Sequence, residues 1–354
     1  AVRHDAAPAA RARVRRLVLR HGADTLSYFK LRRDLQYVFA PDGRAVIGYR
    51  VVNGVMLASG DPVGAPGAVA EAVREAAALA DRNGVRLAVV GAGPAHLDVY
   101  REAGLKPLYL GDEAVVDTVR FSLEGRPIRK VRQSVTRLTR NGYTTELRPV
   151  HDLAPEERRQ LAEVSDRWRN GADERGFTMC MDVLGQDDEG LLLLARDHEG
   201  VVRGFLHLAP CFGRAAASLS LMRRDPGTPN GLMEFMVVRA IEGMRGEGIE
   251  ELSLNFAVFA RWMQRPRSRW ERAAGRLLKV GDRWFQIERL YDFNDKFFPR
   301  WEPRYLLFET PLGLPRTALA AMRAEGQLPA MPRRGGCQAA CPTAGPAEAE
   351  AVLT

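Results

Sequence analysis

The stretch Ser218-Leu219-Ser220-Leu221-Met222-Arg223-Arg224-Asp225, followed by Pro229-Asn230-Gly231-Leu232-Met233-Glu234, brings guanidinium groups and carboxylates together at one junction. A strand runs out into a charged turn, and the turn opens a helix whose apolar residues Leu232, Met233, Phe235, Met236, Val237, Ile241 and Met244 fall at helical spacing. Such a junction sets Arg223, Arg224, Asp225 and Glu234 beside the unpaired N–H groups of a helix N-terminus. That is a place to hold an anion or polarise a carbonyl. A solvated charged turn has the same composition, so the rest of the chain must decide.

Two clusters of cations point the same way. The segment 126–141 reads as a helix carrying Arg126, Arg129, Lys130, Arg132, Arg137 and Arg140, with Val131, Val135 and Leu138 on the buried side. A second cluster, Arg261, Arg265, Arg267, Arg269, Arg272 and Arg276, is interleaved with Trp262 and Trp270. Cations beside aromatics suit phosphate backbones with stacked bases, or an anionic membrane surface. The alternative is a solvated helix face. Asn255 stands alone in the apolar run Leu252–Phe259, either as a structural amide or as a substrate-positioning one. The segment 286–305 alternates charges with aromatics and suits a pocket wall.

The elements needed to position these groups come in two successive halves. In the first, strands are expected at 37–40, 45–52, 54–59, 86–90 and 115–121, with helices at 69–82 and 97–103. The second has helices at 155–169 and 231–246 and strands at 191–197, 202–209, 216–222, 251–256 and 305–308. A duplicated α/β (α+β) fold follows. Residues 1–16 are expected as a tail, 17–145 and 146–310 as two domains, and 311–354 as a largely disordered Pro/Ala-rich tail with a short helical pattern at 315–325. The strand–strand–strand–helix–strand order of the second half resembles the core of GCN5-related N-acetyltransferases (GNAT). The glycine-rich loop that holds acetyl-CoA pyrophosphate there is missing before Gly231, so acetyl-CoA is not the expected donor.

The 354 residues carry a net charge of +8 with 46% hydrophobic and 27% charged residues, a globular composition with affinity for polyanions. Cys180, Cys211, Cys337 and Cys341 show neither a disulfide framework nor zinc spacing. No Gly-x-Ser-x-Gly elbow, His-Glu-x-x-His or Walker loop occurs, which argues against hydrolytic-triad and metal chemistry. Gly91-Ala92-Gly93 has His96 at the third glycine position of a dinucleotide loop. No apolar run reaches membrane-spanning length and no signal peptide is visible. The chain starts at Ala1, leaving room for membrane helices upstream.

Several co-linear motifs over about residues 20–310 resemble the cytosolic domain of the phosphatidylglycerol lysyltransferase (multiple peptide resistance factor) family, actinobacterial type. They include Leu26-Ser-Tyr-Phe29, Ala58-Ser-Gly-Asp61-Pro-Val-Gly64, Gly111-Asp-Glu113, Arg129-Lys130-Val-Arg132, Glu174-Arg-Gly-Phe177, Leu221-Met-Arg-Arg-Asp225, Leu254-Asn-Phe-Ala-Val-Phe259, Tyr291-Asp-Phe-Asn294 and Trp301-Glu-Pro-Arg304. The resemblance implies tandem GNAT-like domains that pass an aminoacyl group, lysyl by default, from tRNA to phosphatidylglycerol. It implies no cofactor and no metal. The partners implied are aminoacyl-tRNA and an anionic phospholipid at the cytoplasmic face of the membrane, with a separate flippase domain the usual companion. Transfer to a soluble acceptor, or a non-catalytic tRNA- or membrane-binding module, are the alternatives. Asp225 or Glu234 is then expected to accept the proton or anchor the aminoacyl ammonium, and Arg223 and Arg224 to bind lipid phosphate or the tRNA end. Asn230, Asn255, Tyr291, Lys296 and Arg304 line the pocket, Glu113 and Glu174 meet the lysyl ammonium, and Arg129, Lys130 and Arg132 meet phosphates. Where the family pattern often has an acidic residue before Leu-Met-Arg, this chain has Ser220.

Overall fold

The computed structural model describes residues 8–171, 189–258 and 284–326. Twelve strands form one sheet: β1 (Gln36–Phe39), β2 (Ala45–Val52), β3 (Val55–Ser59), β4 (Val63–Gly64), β5 (Arg86–Ala92), β6 (Lys106–Asp117), β7 (Thr144–Pro149), β8 (Leu191–Arg196), β9 (Val202–Cys211), β10 (Ala216–Arg224), β11 (Glu251–Val258) and β12 (Arg300–Phe308). Their order is β1-β2-β3-β5-β12-β6-β11-β10-β9-β8-β7, with β4 paired to β2. Only β3–β5 and β10–β11 run parallel; every other pair is antiparallel.

The order is symmetric about its centre. Each half contributes a parallel pair, β3–β5 or β10–β11, and each ends in a strand that leaves home. The first half's last strand, β6, pairs with β11, while the second half's last strand, β12, lies between β5 and β6. The sheet therefore does not divide at residue 145, and β12 belongs by pairing to the first half. Nothing in the local pattern of β12 names its neighbours, since strand exchange is decided by tertiary pairing. The fold is the GNAT-like α/β arrangement expected.

Helices cover both faces. Helix α1 is Pro8–His21, α2 is Pro66–Arg82, α3 is Leu97–Glu102, α4 is Arg129–Arg140, α5 is Pro155–Arg169, α6 is Leu232–Gly246, α7 is Trp284–Asp295 and α8 is Leu314–Ala324. The alanine-rich stripe of α2 (Ala68, Ala72, Ala76, Ala80) allows close approach to β2 and β5 in one core. In α4, Val131, Val135 and Leu138 are buried against α6, as the heptad-like spacing predicts. Phe235, Met236, Ile241 and Met244 of α6 complete that core.

Three boundaries differ from the sequence expectation. Within the stretch expected as an N-terminal tail, Val14 of α1 is buried, joining Val18, Val46 and Val63. Within the C-terminal stretch, α8 packs Ala320 and Ala324 against Leu35, Val55, Leu57 and Leu306. Strand β6 begins at Lys106 and ends at Asp117, earlier than 115–121, because the charged Asp112 and Glu113 interrupt the apolar pattern of a strand that is nevertheless central. Strand β7 and helix α7 have no counterpart in the expectation. Charge alternating with aromatics in 284–295 hides a helical period.

Candidate functional site

The site follows from how β10 and β11 part. They are in register from Ala216↔Glu251 to Ser218↔Ser253 and then diverge. Both strands are irregular at that level. β10 is bulged against β9 between Leu219 and Leu221, and β11 against β6 between Ser253 and Phe256. A bulge bends its strand and interrupts pairing. At the fork Asn255 adopts φ +85°, a left-handed conformation that asparagine tolerates better than other non-glycine residues. Its Nδ2 donates to Leu219 O across the crevice at 3.1 Å, and Asn294 of α7 donates to Leu254 O at 3.3 Å.

The crevice opens toward the ends of β10 and β11, where the N-terminus of α6 meets the C-terminal end of α7. Glu234, in the first turn of α6, accepts from Lys296 at 2.9 Å. Lys296 also lies 5.2 Å from the centre of the Phe293 ring. Tyr291 stacks on Trp301, with ring centres 4.4 Å apart and planes 7° from parallel. Asn230 precedes α6, and its carbonyl accepts from Arg137 of α4. Gly231 turns there with φ +90°, and a Cβ would stand 2.6 Å from Ser134 Oγ. Only glycine lets α6 start that close to α4. Of the residues expected from the sequence, the structure brings Glu234 and Lys296 into contact; Asn255 bonds Leu219, Asn230 bonds Arg137 and Tyr291 stacks on Trp301. Asn294, buried on α7, was quoted only within a motif; nothing in its local pattern marks it as a partner of β11.

Asp225 sits apart from that pair. Its carboxylate accepts from Arg167 Nε at 3.0 Å and from Gly227 N at 3.1 Å, while its carbonyl accepts from Thr228. It organises the turn between β10 and α6. Arg224 donates to Thr228 Oγ1 at 2.9 Å and lies over the Trp168 ring at 5.9 Å, and Arg223 donates to the Met222 carbonyl at 3.3 Å. Asp225 lines an open groove of about 760 Å³ with Arg140, Tyr143, Asp197, His198, Arg203 and Thr228. Its two carboxylates are matched by cations, Asp197 by Arg203 at 2.6 Å and Asp225 by Arg167. A smaller groove of about 340 Å³ continues along α4 past Arg132, Arg137 and Arg140. Arg129 and Lys130 are exposed on α4, whereas Arg132 is tied to the carbonyls of Leu123 and Gly125.

Glu113 and Arg304 have a different setting. Both are essentially inaccessible, at 0% and 3% exposure, and they form an ion pair on one face of the sheet. Arg304 Nε donates to Glu113 Oε2 at 2.8 Å, and another guanidinium nitrogen donates to Asp24 at 2.7 Å. Thr25 Oγ1 donates to Glu113 Oε1 at 2.6 Å, and Ser253 Oγ bonds the same oxygen. Burial alone raises a carboxyl pKa, yet the Arg304 charge holds Asp24 below its usual range. Burial would likewise release the Arg304 proton, but Asp24 and Glu113 outweigh it and keep the guanidinium charged. Beside them lie Lys30 and Asp61. Burial depresses Lys30 to about 8 against the pull of Asp61 and Asp24. Burial, then the negative charge of Asp24, pushes Asp61 up although Gly93 N and Tyr100 Oη both donate to it. This cluster staples the segment 24–31 and strand β12 to the sheet. Glu113 and Arg304 are therefore spoken for by each other. Glu174 and the Arg/Trp cluster at 261–276 lie outside the described residues.

Among the described residues no group of histidine, cysteine, aspartate and glutamate is arranged to hold a metal, and no helix is long and apolar enough to cross a membrane. Cys211 is a buried free thiol whose pKa burial raises to about 11.

Comparison with known proteins places these features. The chain is 43% identical over 336 residues, 91% of its length, to the lysylphosphatidylglycerol biosynthesis bifunctional protein LysX of Rhodococcus jostii, and 44% identical over 319 residues to that of Nocardia farcinica. It spans only 29% and 28% of those two proteins. The solved structure of L-PGS from Bacillus licheniformis superposes with a TM-score of 0.81 at 23% identity, covering 90% of this chain and 97% of that one. The C-terminal domain of a candidate lysylphosphatidylglycerol synthetase from Agrobacterium fabrum gives 0.76 at 26% identity, with the same coverage. Residues 15–308 match the family described as phosphatidylglycerol lysyltransferase, C-terminal, and the chain belongs to that family.

Proposed function

We propose that this chain catalyses transfer of a lysyl group from lysyl-tRNA to a glycerol hydroxyl of phosphatidylglycerol, lowering the negative charge of the membrane. The observations that carry the reading are the parting of β10 and β11 after Ser218↔Ser253, bridged by Asn255, and the Glu234–Lys296 pair at the first turn of α6. The family membership and the names of the relatives support the lysyl donor and the lipid acceptor.

The donor ester is already activated, so the protein must align the two substrates, take up the hydroxyl proton and steady the tetrahedral oxyanion. The lipid hydroxyl oxygen bonds to the lysyl carbonyl carbon. The ester bond to the tRNA ribose breaks, and the ribose hydroxyl leaves with a proton. Glu234 lies in the first turn of α6, bonded to Lys296, and in this reading it accepts the hydroxyl proton or holds a lysyl ammonium once Lys296 yields. Asp225, held by Arg167 and the 227 amide, shapes the turn that presents Arg223 and Arg224 to phosphate. The grooves along α4 take the tRNA backbone, because Arg137, Arg140, Arg129 and Lys130 face them or flank them and both groove carboxylates are paired. The relatives are longer than this chain, and in this reading a separate membrane domain holds the catalytic one at the cytoplasmic face.

The test supplies tRNA charged with labelled lysine together with phosphatidylglycerol vesicles. Label moving into the organic phase only with wild-type protein is expected. Label found instead on a soluble amine or alcohol overturns the lipid acceptor, and no turnover with any charged tRNA leaves a binding module.

A further inference from the structure

The two parallel pairs of the sheet end differently, and the difference lies in two asparagines. In the first half the last register pair, Ser59↔Val90, carries its ladder bond, Gly60 N donating to Val90 O at 2.8 Å. Beyond the last pair of the second half, Ser218↔Ser253, side-chain amides bond the main-chain carbonyls of Leu219 and Leu254. Asn255 Nδ2 reaches across to Leu219 O on β10, and Asn294 Nδ2 takes Leu254 O on β11 from the α7 side. Each carbonyl can only accept, so each amide must turn its NH2 group to the strand. That orientation leaves Asn255 Oδ1 as an acceptor with no partner among the described residues. Asn255 is half-buried and Asn294 is 1% exposed, so one amide faces the crevice and the other is sealed behind it. The backbone at Asn255 is bent to φ +85° to make the reach, and its N–H leans on Ser253 Oγ at 3.4 Å.

We propose that Asn255 and Asn294 are a positioning pair that props the β10–β11 crevice open. Asn255 is the crossbar that fixes its width, and Asn294 is the strut that holds the bulged strand β11 against α7. Satisfying both carbonyls with side chains removes the incentive for the strands to close on each other. Asn255 Oδ1 is then the acceptor offered to an O–H or N–H donor of whatever enters, a hydroxyl or ammonium in the reading above. The crossbar itself stands on the strand geometry, while its effect on turnover rests on that reading.

The experiment uses Asn255→Gly and Asn294→Ala in the full chain. Glycine adopts φ +85° freely, so Asn255→Gly keeps the backbone and loses only the crossbar. Amide hydrogen exchange over 219–222 and 254–256 should slow in Asn255→Gly as the strands re-pair, and the same segments should change in Asn294→Ala. Exchange identical to wild type in both variants overturns the proposal, whatever the activity. In the lysyl-transfer assay kcat should fall ~10²-fold with KM within about twofold, the signature of lost alignment. Asn255→Asp keeps an acceptor but cannot donate to Leu219 O, and should share the defect; wild-type turnover in that variant also overturns the crossbar. If wild-type protein transfers nothing while exchange still responds, the functional reading fails and the positioning pair stands.

Discussion

The sheet contains the same construction twice, and the two copies have been put to opposite uses. In the first half β3 and β5 stay paired from Val55↔Arg86 to Ser59↔Val90, and the space beyond is filled by Lys30, Asp61, Asp24 and Arg304. In the second half β10 and β11 stop pairing after Ser218↔Ser253, and the space beyond stays open between two asparagine amides. Ser59 and Ser218 hold corresponding places as the last paired residues before each end, and both hydroxyls are buried without a hydrogen-bond partner among the described residues. A sealed fork and an open fork differ chiefly in what is placed at the tip. Charges bonded to one another close it, and side-chain amides bonded to main chain keep it apart. The sealed copy is then expected to matter for stability and the open copy for turnover.

The sharpest way to break that contrast is Glu113→Ala. It leaves Arg304 buried with Asp24 alone and should cost about 3–5 kcal/mol, read as a lower urea midpoint. A loss below about 1 kcal/mol would mean the sealed fork is not held by its ion pair. Next in size is Lys30→Met, examined against pH. Because Lys30 is depressed to about 8 in the folded chain and unperturbed near 10.5 when unfolded, the unfolded state binds more protons between those values. Stability contributed by this group therefore rises from about pH 8 to 10.5 and is flat below. The wild-type minus Lys30→Met difference should climb by on the order of 3 kcal/mol across that window.

On the open side, Gly231→Ala forces a side chain into φ +90° and against Ser134, separating α6 from α4. It should cost about 1–3 kcal/mol in thermal unfolding and reduce transfer more than its stability loss explains. The smallest effect on the fold is expected from the double variant Arg129→Ala with Lys130→Ala. Stability should hold within about 0.5 kcal/mol. Binding of tRNA should weaken at every salt concentration, and the slope of log K against log salt should drop by about 1–2. An unchanged slope would remove the N-terminal part of α4 from the phosphate-binding surface.

How far these features were legible varies with the range over which each is decided. The buried stripe of α4 and the start of α6 at Gly231 are written in spacing and local turn chemistry, and the structure has them close to where periodicity puts them. Glu113 reads as a partner for the lysyl ammonium through the family resemblance. Its partners are Thr25, Ser253 and Arg304, up to 191 residues away. Asp225 reads as a candidate base or ammonium anchor from its charged turn and the resemblance, and in the structure Arg167 of α5 and the amide of Gly227 hold it in that turn. Lys296 and Glu234 entered as site residues through the family resemblance, and their contact is visible only in the structure.

By itself the sequence determined most of the secondary structure of both halves, though not β7, α7 or the extent of β6, together with the basic face of α4, the missing pyrophosphate loop and, through its motifs, the family. Those properties depend on residues within a turn or two of each other, where periodicity and capping act. Only the tertiary structure decided that β6 and β12 exchange places, that Glu113 and Arg304 neutralise one another, and that one fork is shut while its counterpart stands open. These depend on which distant groups share a low-dielectric interior. There an unpaired charge or carbonyl is too costly to leave alone, so partner choice is set by packing rather than by position along the chain.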